Sequence, residues 1–324
     1  MSLKPEPFHA LDPNVHKVVS EVDLHGCVQR HPLADHHSPL ILLLQGQLAE
    51  AESAARVGVK TATEQQAWET VAHLLSIIAS VALAQGAFAK VERTAQQAVA
   101  MGQRASAPWA ACDALQAHLS ARALQGQWQA AQNIPHRLHN PVLGRAISGA
   151  VPVYQLLLRA YQSQALGEPL RPLATTLLKV RTADPAWLGP LCGLVELGEA
   201  SLLTELTHAP AQQLTQALAR GIVMSPGWVC LIPRQLGIAA TLREDWVQAE
   251  AYFQRAIEIA TAAQAIPELG RTYLAYARLL RIQPDTCDDP RIAALLDNAR
   301  NLFEALGMAP FVAAARSLTH PHPR

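Results

Sequence analysis

A short stretch near the N-terminus carries the residue types of a metal site. Residues 25–37 read HGCVQRHPLADHH and contain four histidines, one cysteine and one aspartate. Imidazole nitrogen and thiolate sulfur are ligands that zinc favours in proteins. The candidate ligands are therefore His25, Cys27, His31 and His36, and a metal-dependent enzyme is the first chemistry to consider.

A linker or cap is the competing interpretation of this stretch, and the sequence favours it. Zinc ligands usually come as pairs at gaps of about two to four residues, with a second pair downstream, and that order is missing here. Pro32 disfavours a helix through the stretch. Ser38 and Pro39 are typical of a helix start, as N-cap and first helical residue. We expect residues 1–38 to form an irregular lead-in.

The bulk composition narrows the classes of function. Half of the 324 residues are apolar, and 26 basic residues balance 26 acidic ones. A neutral chain lacks the field that attracts nucleic acid, so no direct binding of nucleic acid is expected. The five cysteines show no paired spacing, which is typical of a reducing compartment. No leader-like segment and no apolar run of membrane length is visible, so we expect a cytoplasmic protein without membrane contact.

The sequence motifs of several common catalytic sites are missing. GxxxxGK[ST], GxGxxG, HExxH and GxSxG are all absent. Acidic residues such as Asp113, Glu196 and Glu205 have no partner at a spacing that suggests a shared site. We therefore expect a protein without catalytic residues and without a cofactor.

Turn-like segments recur along the chain with a period near forty residues. Gly46, Gly86 and Gly126 each interrupt helix-forming text and stand 40 residues apart. Similar turns are predicted further along, at Gly167, near His208, at Glu244 and from Pro284. Repetition at such a period is typical of helical solenoids, in which each hairpin buries its apolar stripe against its neighbours. We predict an all-α array over residues 39–318, followed by a disordered tail, residues 319–324.

The clearest hairpin resembles the tetratricopeptide repeat family. Its matching residues are Leu236-Gly237 in the first helix, Trp246 after the turn, and Ala249, Phe253 and Ala256 in the second helix. The following unit repeats the signature with Leu269-Gly270 and Tyr273, and weaker units match at Phe88, Ala98, Trp128 and Ala131. The resemblance implies a right-handed superhelical solenoid of about seven helix–turn–helix repeats, with longer helices than that family usually has.

The long repeats also look like the partner-binding or sensor regions of bacterial signal-transduction ATPases and LuxR-type transcriptional activators. The segment 299–318, ARNLFEALGMAPFVAAARSL, is similar to the close of such regions. The resemblance implies a module that acts in signalling or in the regulation of transcription.

In tetratricopeptide arrays the first helix of each hairpin lines the concave face, and the resemblance implies which residues lie there. The candidates for that face are His73, Trp109, Asp113, Gln116, Tyr154, Tyr161, Arg234, Arg271, Arg278 and Arg281. The last three fall on one helix face and could bind carboxylates, although a solvated face near a helix C-terminus is the alternative. The two tyrosines could stack on a ligand or pack against a neighbouring repeat.

Three functions follow from these observations. The leading hypothesis is a non-catalytic module that binds a protein or peptide partner in the concave groove. The second is a domain that senses a small-molecule effector in a closed pocket of the superhelix. A metal-dependent enzyme using the N-terminal histidines is the third. The oligomeric state is left open, with a homodimer among the alternatives.

Overall fold

The computed structural model of the chain describes residues 38–134, 144–162, 164, 185–284, 286 and 289–319. The predicted lead-in lies outside this part apart from Ser38, and so do the four candidate metal ligands. The predicted tail also lies outside it, except that Thr319 is the last residue of the final helix.

The described residues form fourteen α-helices, which confirms the all-α prediction. They are α1 (Pro39–Leu44), α2 (Leu48–Glu64), α3 (Trp68–Ala84), α4 (Phe88–Arg104), α5 (Cys112–Leu124), α6 (Trp128–Gln132), α7 (Gly144–Tyr161), α8 (Leu188–Ser201), α9 (Glu205–Ala219), α10 (Ile232–Leu242), α11 (Trp246–Ala262), α12 (Ile266–Ile282), α13 (Arg291–Leu306) and α14 (Ala309–Thr319). Within the described ranges, extended pairing is limited to an isolated antiparallel bridge between Met224 and Leu231.

Left-handed residues set the tight turns between paired helices. Gly46, Gly86 and Gly126 have φ angles of 78°, 76° and 74°, a conformation that glycine adopts without strain. Glu244 takes the same conformation at its turn, with φ 60°, although it carries a side chain. These four turns lie at the positions that the repeat pattern predicts. Ser38 stands at the N-cap of α1 as predicted, although its side chain makes no capping hydrogen bond.

The turn predicted near His208 is wrong, because His208 lies inside α9. The turn falls six residues earlier, where Leu202 adopts a left-handed φ of 56°. Close packing between α8 and α9 places it there: a Cβ on Gly198 would stand 2.5 Å from Cγ2 of Thr207. Pro210, two residues after His208, also lies within this helix. The turn predicted at Gly167 lies outside the described residues.

The helices pack in two layers, each helix against its neighbours along the chain. Consecutive helices contact one another from α1 to α6 and from α8 to α14, and alternate helices also meet, as α3 does with α5 and α10 with α12. Helices α3, α8 and α10, each the first helix of its hairpin, are buried nearly throughout. Helices α2, α4 and α11, each a second helix, bury only one stripe of residues. Helices that are apolar all round belong inside a protein. The first helices therefore form an inner layer, a serial arrangement consistent with a helical solenoid.

The Leu-Gly pairs of the repeat pattern mark close contacts between paired helices. A Cβ on Gly237 would stand 2.7 Å from the ring of Phe253, and one on Gly270 would stand 2.7 Å from the ring of Phe303. Both rings are buried, with 1% and 0% of their surfaces exposed. Because glycine has no side chain, each aromatic ring of an outer helix can pack directly against the backbone of the inner helix.

The two ends of the array contact each other. Helix α12 meets α3, and α14 meets α5. At these contacts Gly86 faces Leu306, and Gly126 faces Pro310. The C-terminal hairpins therefore close back on the N-terminal hairpins and cover part of the inner layer.

Replacing Gly237 by Ala is expected to lower the free energy of unfolding by about 1–3 kcal/mol, because the added methyl group overpacks a rigid, buried ring. Urea denaturation measures the loss. Gly58→Ala in α2 is the matched control, since its Cβ would meet only the tip of the flexible Leu74 side chain at 2.8 Å. The control should unfold close to the wild type. Equal losses in the two variants would contradict the role given to Phe253.

Candidate ligand cavity

A hairpin-like segment, residues 222–231, lies across the inner layer of the N-terminal half. We call it the inner hairpin. The backbone N–H groups of Val223 and Met224 donate to the carbonyl of Leu44 at 2.8 and 3.2 Å, at the C-terminal end of α1. The N–H of Gly227 donates to Oγ of Ser80 in α3 at 3.0 Å. These bonds satisfy backbone groups that would otherwise be buried without partners.

The residues at the tip of the inner hairpin also contact α5 and α7. A Cβ on Gly227, whose φ is 64°, would stand 2.6 Å from Oε1 of Gln116. That same oxygen accepts a hydrogen bond from the hydroxyl of Tyr154 at 2.9 Å. The next residue, Trp228, stacks on Tyr154 with ring centroids 5.1 Å apart. An extended segment of the chain itself therefore covers the surface that was predicted to bind a ligand.

Two of the predicted groove residues are therefore covered by the protein itself. Gln116 and Tyr154 keep 4% and 1% of their surfaces exposed. Tyr154 packs against a neighbouring segment, which is one of the two alternatives left open by the sequence. The inner hairpin was not predicted, although Ser225-Pro226-Gly227 between apolar residues is a turn signal.

Beyond the inner hairpin, four buried charged side chains join α8, α10 and α12. Arg234 binds Glu196 at 2.8 Å and Glu268 at 3.0 Å, and Arg271 binds the same two carboxylates at 2.5 and 2.7 Å. None of the four keeps more than 6% of its side chain exposed. Two positive and two negative charges therefore compensate one another inside the protein. We call this set the ion quartet.

Neighbouring polar groups complete the hydrogen bonding of the ion quartet. Glu196 also accepts from the side-chain amide of Gln235 at 2.8 Å and from the hydroxyl of Tyr161. Glu268 accepts from the backbone N–H of Leu231 at 2.7 Å, which ties the end of the inner hairpin to the quartet. Buried ion pairs tolerate their desolvation only when such extra hydrogen bonds are made.

The two arginines of the quartet keep Glu196 charged. Burial alone would raise the pKa of Glu196, but Arg271 and Arg234 outweigh it, and the pKa lies well below the ordinary value of 4.5. Burial raises the pKa of Cys230 well above its ordinary value, so the nearby thiol stays protonated. Glu196 is thus a fixed negative charge at neutral pH rather than a group poised to exchange protons.

The sequence prediction that Glu196 has no partner is wrong, because the partners lie in other repeats. Glu196 and Arg234 are 38 residues apart, Arg234 and Glu268 are 34 apart, and Tyr161 and Glu196 are 35 apart. These intervals are close to the repeat period, so the residues stand at similar positions of successive inner helices. A search for charged pairs at the repeat spacing would have found Glu196 and Glu268.

An open-mouthed cavity of about 1120 Å³ lies over the ion quartet. Its walls come from α7, α8, α10, α12 and α14. Tyr161, Glu196, Arg234 and Arg271 line its buried end, and Phe311 of α14 contacts the ring of Tyr161 edge to face at 5.5 Å. Cavities that hold small molecules span roughly 300–1,000 Å³ and combine apolar walls with a few polar groups. The cavity is large enough for such a ligand.

The mouth of the cavity carries apolar side chains that face solvent. Leu202 is 79% exposed and Ile282 is 59% exposed, and both line the cavity. Helix α14 borders the same opening with Ala313, Ala314 and Leu318, and it buries only Ala315 fully. The opening of the cavity is therefore bordered by several apolar side chains, two of which are well exposed.

The remaining predicted site residues lie apart from the quartet. Arg278 lines the cavity at its mouth and binds Glu199 at 3.1 Å, with 41% of its side chain exposed. Arg281 is half-buried, and its Nε has no hydrogen-bond partner among the described residues. The three arginines of α12 therefore have different environments, and the two that line the cavity already bind carboxylates.

The candidates in the N-terminal half do not join the cavity. His73 and Asp113 are half-buried in α3 and α5. Trp109 is 37% exposed, and its indole N–H donates to Glu69 at 3.3 Å. Among the residues that the structure describes, no three His, Cys, Asp or Glu side chains gather where they could hold a metal ion.

The fold and the cavity define a class: all-α proteins whose helical hairpins pack in series around an open-mouthed cavity of ligand size. A comparison with protein-family models found no family that matches the chain, and a comparison with curated proteins found no matching relative. Within the described ranges, no helix has both the length and the apolar character needed to cross a membrane.

Replacing Arg234 by Met is expected to cost about 3–5 kcal/mol of stability, because it leaves two buried carboxylates with a single guanidinium between them. Arg278→Met is the matched control on the neighbouring inner helix. Its ion pair is partly exposed, so its loss should cost less than about 1 kcal/mol. Urea denaturation of both variants measures the two losses of unfolding free energy. A loss no larger for Arg234→Met than for the control would contradict the structural role of the quartet.

The stability of the protein is expected to fall as the pH drops below about 4.5. The unfolded chain takes up a proton at Glu196 near that pH, whereas the folded protein keeps this carboxylate ionised, so acid favours unfolding. Thermal unfolding measured at a series of acidic pH values gives the slope of stability against pH. Glu196→Gln should flatten it, although the variant is less stable throughout. Glu304→Gln, at an exposed ion pair with Arg316, should retain the wild-type slope.

Proposed function

We propose that the chain is a non-catalytic binding module whose ligand is a small-molecule effector held in the cavity over the ion quartet. We further propose that it is a tetratricopeptide-like solenoid of about seven right-handed hairpins, and that it acts in signalling or in the regulation of transcription. The leading observation is the open-mouthed cavity with its buried, polar inner end. A groove open along the whole inner layer would suit a long peptide better, but the inner hairpin occupies the N-terminal part.

The chemistry at the buried end of the cavity supports a binding role rather than a catalytic one. A general base works best when its pKa lies near the operating pH. The pKa of Glu196 lies far below that range, because Arg271 and Arg234 stabilise its charge. The carboxylates of the quartet bind arginines of the same protein, as structural ion pairs do.

A second candidate function is the binding of a short peptide segment of a partner protein. The inner hairpin favours it, because an extended stretch of chain already lies on the inner layer and donates backbone N–H groups to Leu44 and Ser80. The free part of the same layer could accept a further extended segment next to it. The two candidates differ in the ligand that fills the cavity, so a direct binding experiment separates them.

A thermal-shift screen with a library of small metabolites and a library of short capped peptides tests the proposal. Small-molecule hits should stabilise the protein, by about 2.7 kcal/mol at a concentration of 100 Kd. Ala314→Trp, which fills the cavity from the loosely packed α14, should abolish these shifts. Ala309→Trp is the matched control, because Ala309 is exposed at the start of the same helix and does not line the cavity.

The outcomes separate the two candidates. Shifts produced by small molecules in the wild type and in Ala309→Trp, but not in Ala314→Trp, support the effector site. Shifts produced by peptides alone support the second candidate and overturn the first. Hits that stabilise Ala314→Trp as strongly as the wild type would place the site outside the cavity.

A further inference from the structure

We infer that the cavity selects an uncharged, amphiphilic small molecule, with its polar end at the ion quartet and its apolar body along α12 and α14. This inference rests on the proposed function and adds the chemical class of the ligand. It follows from the charge balance of the buried end, from an unused hydrogen-bond donor there, and from the distribution of apolar side chains.

Each charged side chain that lines the cavity already binds a partner of opposite charge within the protein. Arg234 and Arg271 each bind both Glu196 and Glu268. Glu268 does not line the cavity itself, but its carboxylate balances the charge of the second arginine. At the mouth, Arg278 binds Glu199 at 3.1 Å. A ligand that entered as an anion or a cation would lose its hydration and find no unpaired opposite charge in return. Burial of an uncompensated ion is strongly unfavourable, so the cavity disfavours charged ligands.

The buried end nevertheless offers a hydrogen bond. Arg234 is 3% exposed and lines the cavity, and its Nε and Nη2 donate to the two carboxylates. Its Nη1 makes no hydrogen bond within the described part of the chain. A guanidinium carries five N–H donors, so Nη1 still has N–H groups to donate to a ligand. A neutral acceptor on the ligand, such as a hydroxyl, carbonyl or ether oxygen, would bind this group without adding charge.

The rest of the cavity suits an apolar body. Ile238 and Leu274 line its wall on α10 and α12, and Phe311 lines it on α14. The exposed Leu202 and Ile282 continue the apolar surface to the mouth. Burying an apolar group against these side chains is favourable by about 25 cal/mol for each Å² removed from water. A polar inner end and an apolar path outward therefore match an amphiphilic molecule that enters with its polar end first.

Four fluorescent probes with one ring system test the charge selectivity. They are 2-naphthaleneethanol, which is neutral and polar, 2-naphthaleneacetate, an anion, 2-naphthaleneethylammonium, a cation, and 2-ethylnaphthalene, which has no polar group. Titration of the full chain with each probe, followed by fluorescence anisotropy, gives four dissociation constants. We expect the alcohol to bind at least about tenfold more tightly than either ion, a difference that a buried, uncompensated charge readily produces. It should also bind more tightly than the hydrocarbon, because it satisfies Arg234.

Cavity variants show whether the probes report on this site. Binding of the alcohol should be lost in Ala314→Trp and kept in Ala309→Trp. Glu199→Gln leaves Arg278 without its partner at the half-exposed mouth, so it should strengthen binding of the acetate by about two- to fivefold, the range expected for such a pair. Binding of the alcohol, which carries no charge, should change less in this variant than binding of the acetate.

Each result decides one of the two proposals. If the acetate or the ammonium probe binds the wild type as tightly as the alcohol, the inference about charge is wrong, while the cavity remains the site. If the alcohol and the hydrocarbon bind equally tightly, the inferred hydrogen bond between Arg234 and the ligand is wrong. If no probe binds, or if Ala314→Trp binds all of them unchanged, the proposed function of the cavity fails as well.

Discussion

The buried ion quartet is the constraint on which the C-terminal half depends. Four charges can leave water only if each finds a partner and the remaining lone pairs are used, and here α8, α10 and α12 all contribute to that balance. The hydrogen bond from Leu231 to Glu268 extends the same set to the inner hairpin. The relative positions of three inner helices and one extended segment are thus fixed by a single group of contacts, and the cavity takes its shape from them.

The inner hairpin changes what the array can bind. A solenoid usually presents a long surface that is open from end to end. Here the segment from Ile222 to Leu231 lies on the first inner helices, and the last hairpins close against the first. In the part of the chain that the structure describes, an open-mouthed cavity lies beside the inner hairpin. Ligand size and polarity are then selected by the walls of a pocket rather than by a row of groove positions.

Much of the fold could be predicted from the sequence, because local features determine it. Left-handed glycines such as Gly46 and close-packing glycines such as Gly237 have direct sequence signals. The site was less predictable. Arg234 and Arg271 were selected as ligand-binding cations, yet their partners Glu196 and Glu268 lie in other repeats, and pairing across repeats has no local signal. The turn near His208 was misplaced because a proline inside a helix looks like a break when the packing at Gly198 is unknown.

Closure also affects how the chain folds. In an open repeat array each unit contacts only its neighbours, so folding can start anywhere and spread, and units can be gained or lost. The hydrogen bond between Ser80 and Gly227 joins residues 147 positions apart in the sequence. Contacts of this separation raise the contact order and slow folding, because a long loop must close before they form. Together with the contacts of Gly86 with Leu306 and of Gly126 with Pro310, they couple the first hairpins to the rest of the array, so that deleting one repeat would disturb packing far from the deletion.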